Sequence, residues 1–176
     1  MTFLKLYFHM MAALKKGVYK LLYGRRIHFG RKTTFRRSLA LAIEKTGCVT
    51  IGDGCFFNNG CSISSQCGVT IGAHTVFGEH VCLYDHDHAY RDCASPAGEQ
   101  GYTTAPVILG AGCWLGSNVT VLKGTVLGDH VVVGAGCVLR GIVPSGTLVT
   151  QSANVTQRPI AGQSTGANHA AEDPTK

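Results

Sequence analysis

No acidic side chain precedes Glu44, although ten Lys and Arg residues do. The whole chain of 176 residues has 10 carboxylates against 16 Lys and Arg, a net charge of +6. No nucleic-acid recognition motif accompanies the basic excess, so nucleic acid is not an expected partner. No apolar run reaches the roughly twenty residues that a membrane span requires, because Lys5 and Lys15 interrupt the N-terminal one. No small-residue cleavage site follows that segment, which argues against a cleaved signal peptide. The 8 Cys include no Cys-x-x-Cys pair, and several fall where a small apolar thiol simply packs. Reduced core thiols and a cytoplasmic location are therefore expected rather than a disulfide or metal framework. Aromatic residues are few, at 8%, with a single Trp.

What the chain has instead is glycine, 23 of them, and a six-residue beat. Leu109, Leu115, Val121, Leu127, Val133 and Leu139 follow one another at that spacing. Ile51, Phe57 and Ile63 keep the same beat earlier, and after a two-residue slip so do Ile71, Phe77 and Leu83. Four residues after the aliphatic comes a small or β-branched side chain, as at Cys113, Val119, Thr125, Val131 and Cys137. A helix has no use for a period of six. A short strand followed by a tight corner does, with one aliphatic side chain inward per flat side and Gly letting the backbone bend. Stacked coils then bury a continuous core that no single repeat could form. The expected fold is an all-β parallel β-helix, a solenoid spanning residues 27–160.

The beat breaks once for long, between Leu83 and Leu109. In a solenoid such an insertion leaves the stack as a loop, here 84–108, and loops of this kind commonly line binding sites. The loop opens with Asp85-His86-Asp87-His88. Neutral imidazole is available near neutral pH, so either His suits a general base acting on an alcohol. The two are read as pointing to opposite sides of an extended segment, with Asp85 or Asp87 fixing a ring tautomer. His74, His80 and His86 are also six apart, but on a three-sided coil that spacing puts them on neighbouring sides, so no metal site is expected. Trp114 either covers the base of the loop or forms an apolar wall for a ligand. Asn58, where other coils have Gly, either accepts a left-handed corner or offers its amide to a substrate.

Residues 1–26 read as a short basic amphipathic helix, with Phe3, Tyr7, Met10, Leu14, Val18 and Leu21 on one stripe. It either caps the solenoid or makes peripheral contact with an anionic membrane face, the inner one for a cytoplasmic protein. The tail 161–176, without large apolar residues, is expected to be disordered.

The six-residue repeats, the Asp85–His88 segment and Cys113-Trp114-Leu115-Gly116-Ser117-Asn118 together resemble the hexapeptide-repeat acyltransferases. The resemblance covers about residues 27–150 and is nearest to the galactoside, maltose and capsular-polysaccharide O-acetyltransferases. It implies a left-handed β-helix working as a homotrimer, with acetyl-CoA as acyl donor, no metal, and a sugar or saccharide precursor as acceptor. It further implies His86 as catalytic base and Asn58, Asp85, His88 and Trp114 as acceptor contacts. Trp114, Ser117, Ala135, Leu139 and Arg140 would contact the coenzyme. The family's closing Gly-Val-Pro-Ala run is absent after Ile142-Val143-Pro144, which implies a changed adenine end of that site. Two other classes share the fold: a γ-carbonic-anhydrase-like zinc enzyme, marked by stoichiometric zinc, and a non-catalytic solenoid scaffold that binds no acetyl-CoA.

Overall fold

In the computed structural model, residues 3–44 and 46–151 are described, with side chains from Leu6 onward. The expected tail 161–176 lies outside the described residues. After one helix, Phe3–Tyr23, the chain winds through about six turns of short parallel strands. Three sheets of six, six and five strands form the sides. The register on the first side steps from Ile27 to Val49, Val69 and Val107, and the long last step contains the loop.

Every aliphatic or Phe position of the beat, from Ile51 to Leu139, is buried, as are Cys55, Cys61, Cys113 and Cys137 four residues after a beat position. Strand registers place like on like: Phe57 lies opposite Phe77 on the neighbouring coil, their rings stacked with centroids 4.3 Å apart. All eight thiols are free. Burial pushes the Cys61 thiol up to about 11, outweighing the hydrogen bonds it receives.

The glycines of the beat have a different cause from the one expected. Gly52, Gly72, Gly110, Gly116 and Gly128 do not have positive φ. They are small because the neighbouring coil passes too close: a Cβ on Gly110 would lie 2.5 Å from the Gly128 carbonyl carbon. Left-handed conformations fall two residues later, at Gly54, His74, Gly112 and His130 on one corner and Gly60, His80, Asn118 and Gly136 on the next. His74, His80 and His130 lean over Gly54, Gly60 and Gly112 of the coil before. These corner roles explain the histidines at 74 and 80. Asn58 is not among the left-handed residues, so the corner reading of that residue is corrected.

Close approach and corner freedom can be separated by substitution. Gly110→Ala should cost about 1–3 kcal/mol, the usual price of overpacking against unyielding atoms. Gly134→Ala, whose nearest neighbour would be at 3.4 Å, should change stability by less than about 0.5 kcal/mol. Urea unfolding of the two variants provides the comparison.

The N-terminal helix lies along the first coils. Ala12 is buried, the Tyr19 and Tyr23 hydroxyls donate to the Leu39 and Leu41 carbonyls, and Lys15 and Lys16 donate to the Arg37 and Thr33 carbonyls. One face of the helix thus caps the solenoid. No described helix is long and apolar enough to cross a membrane.

Candidate active site

The insertion folds as an antiparallel hairpin, His86–His88 against Tyr102–Thr104. Its base is closed by Ala105 N–H donating to the Asp85 carbonyl at 2.9 Å. On a strand, alternate residues share a face. His86 and His88 therefore point to the same side, correcting the expectation of opposite sides, and both rings meet Tyr102, at centroid distances of 5.2 and 4.6 Å. Asp87 points to the other side, where Lys123 of the next coil pairs with its carboxylate at 3.2 Å and also donates to Thr103.

Asp85, at the root of the hairpin, is fully buried. The corner of the preceding coil wraps its carboxylate: Gln66 N–H donates at 2.7 Å, Cys67 N–H at 2.9 Å, Gly68 N–H at 2.6 Å and Ser65 Oγ at 2.8 Å. His86 Nδ1 completes the set, 2.9 Å from Oδ1. Burial alone would raise this carboxyl, but the converging donors prevail and hold it at about 2. Asp85 is thus ionised at neutral pH and can only accept, so Nδ1 of His86 carries the proton. Nε2 then keeps its lone pair, the requirement for a general base. Asp85 was expected to contact the acceptor. It does not, because it has no exposed surface and its oxygens are occupied.

The other expected site residues are spread over the coil. Trp114 stands on the second side, 57% exposed, between Val76 and Val132 of the adjacent coils. Ser117 and Ala135 sit near the following corner, where the Ser117 hydroxyl accepts from Glu79 N–H at 3.2 Å. The Asn58 side chain accepts from Asn59 N–H. Leu139 is a core residue, so its side chain is closed to any ligand. Arg140 is exposed and borders a cleft of about 830 Å³ together with Asp87, Thr103 and Lys123. That cleft lies on the Asp87 side of the hairpin, and His86 does not line it. One chain therefore joins Asp85, His86, His88 and Tyr102, and separately Arg140 with Lys123.

Sequence reasoning missed Tyr102, Lys123 and the Ser65–Gly68 cradle. Tyr102 meets the histidines only through the pairing of the hairpin strands, and Lys123 and the cradle lie on neighbouring coils, so local spacing carries no sign of them.

The structure thus joins a parallel β-solenoid to a projecting hairpin whose first histidine is held by a buried carboxylate. The six-repeat bacterial transferase hexapeptide family matches residues 106–141. WbbJ of Escherichia coli K12, named for O-acetyl transfer in lipopolysaccharide biosynthesis, is 35% identical over 130 residues, 70% of this chain. Rv3034c of Mycobacterium tuberculosis, named as a probable acetyltransferase, is 28% identical over 69% of the chain. The chain spans 66% and 38% of the lengths of these two relatives. The hexapeptide-repeat acetyltransferase VCA0836 of Vibrio cholerae superposes with a TM-score of 0.69 at 26% identity, covering 80% of this chain and 76% of that one. Its acetyl-CoA complex superposes with a TM-score of 0.65 at 27% identity, covering 79% and 72%. The chain thus carries hexapeptide transferase repeats and is similar to acetyltransferases built on the same solenoid.

Proposed function

We propose that this protein moves an acetyl group from acetyl-CoA to a hydroxyl of a sugar or saccharide precursor. The observation that carries the reading is the Asp85–His86 pair: a buried carboxylate lies 2.9 Å from Nδ1, which leaves Nε2 as the ring nitrogen available to a substrate. Nε2 takes the proton of the acceptor hydroxyl as its oxygen attacks the thioester carbonyl carbon. The tetrahedral oxyanion collapses, the C–S bond breaks, and the coenzyme A thiolate takes the proton from Nε2. Direct transfer between two positioned substrates needs no enzyme nucleophile.

The separation of His86 from Trp114, Ser117 and Ala135 around one coil supports a homotrimer in which the donor lies between neighbouring copies. The acceptor class is supported by the name of WbbJ and the donor by the ligand of VCA0836. Arg140 is the cation for the anionic nucleotide end of the donor.

Calorimetry with acetyl-CoA tests the reading without knowledge of the acceptor. About one molecule should bind per chain, with free coenzyme A competing, and a saccharide acceptor panel should then release thiol. Arg140→Ala should weaken acetyl-CoA binding about tenfold, the worth of one charge-assisted contact. Absence of acetyl-CoA binding would reject the proposal.

A further inference from the structure

The N-terminal helix is apolar on the wrong side for a simple cap. At 100° per residue, Ala12, Lys15, Lys16, Tyr19 and Tyr23 face the solenoid, and the opposite face carries Leu6, Met10, Leu14, Val18 and Leu21. That outer face is open: Met10 is 61% exposed, Leu14 64% and Leu21 86%. Contiguous exposed apolar surface of this kind marks an interaction site.

Charge identifies the occupant. Lys32 is exposed beside one flank of the helix, and Arg37 beside the other. Lys20, Arg25 and Arg36 are exposed nearby. Among the described residues, no carboxylate pairs with these cations, and the neighbouring Arg31 pairs with Asp53. A second copy on the stripe would set one cationic rim against another. An anionic bilayer meets both demands, as apolar side chains enter the headgroup boundary and flanking cations stay at the phosphate level.

We propose that the outer face of the Phe3–Tyr23 helix docks this protein onto anionic membrane surface, lying in its plane. Acyl transfer has no part in the argument, so either proposal can fail without the other. The helix has separate faces for two tasks, and binding lipid does not require it to leave the solenoid.

The test is flotation of the full chain with phosphatidylcholine vesicles and with vesicles that also contain phosphatidylglycerol. The chain should float with the anionic vesicles only, and salt should weaken the association. A Met10→Ser/Leu14→Ser/Leu21→Ser variant alters no buried side chain and should keep its thermal midpoint, yet lose membrane partitioning by about tenfold or more. Lys20→Glu/Arg25→Glu should lose a similar factor, on the usual worth of basic residues near an anionic surface. Equal flotation of the parent and the apolar variant would overturn the proposal. So would a lipid-independent dimer in sedimentation that the apolar variant abolishes, since the occupant would then be a second copy.

Discussion

Replacing His86 with Ala is expected to lower turnover by about 10²–10⁴ while leaving acetyl-CoA affinity nearly unchanged, the scale usual for loss of a general base. The affinity should hold because the residues proposed for the coenzyme, among them Ser117 and Arg140, belong to other coils. His88→Ala is the informative partner experiment. Both rings rest on Tyr102, so either substitution removes similar packing. Only His86 has a carboxylate on Nδ1, so only its loss should remove the base. His88→Ala should therefore change turnover by less than about tenfold, within the range of a packing defect. Single-turnover acetyl transfer with both variants reads the difference. A collapse in His88→Ala with His86→Ala intact would transfer the role to His88.

The solenoid was legible because its period is a property of every coil. Twelve beat positions from Ile51 to Leu139 all point inward, and each repeats the same local geometry. The glycines were legible in position but not in cause. Whether a residue turns a corner or yields to a neighbour is decided by the adjacent coil, as Gly110 against Gly128 illustrates. The hairpin histidines were found from their placement at the one long interruption. Their shared side follows from the two-residue alternation of a strand, against the opposite sides expected from the sequence. Asp85 stood out as a titratable neighbour, yet its burial depends on Gln66, Cys67 and Gly68, a coil away in sequence. The helix at the N-terminus was read as a cap or a membrane contact. Its inner face is a cap, and its outer face stays apolar and exposed.

Asp85→Asn should cost both stability and turnover, for one electrostatic reason. Oδ1 accepts from Gln66 N–H and His86 Nδ1–H, and Oδ2 from Ser65, Cys67 and Gly68. An Asn keeps one acceptor oxygen, and its NH₂ fits best at the Oδ1 place, where His86 can turn into an acceptor but the buried Gln66 N–H is left opposed. The expected loss is about 2–4 kcal/mol in urea unfolding at neutral pH. In the parent protein, the folded-state value of about 2 lies below the ordinary 3.8. A lowered carboxyl stabilises the fold above its unfolded value and loses that contribution as pH falls through the folded one. The difference between parent and variant should accordingly be constant above about pH 5 and shrink by roughly 2 kcal/mol on approaching pH 2. Turnover should fall by about 10²–10⁴ even where the variant is fully folded. An amide NH₂ facing His86 makes Nδ1 the acceptor and moves the proton to Nε2, where the lone pair for the substrate had been. A purely structural Asp85 would instead give a folded variant with parental turnover. Measuring turnover and acetyl-CoA affinity well below the unfolding midpoint separates the two, because tautomer loss lowers the rate and leaves the affinity alone.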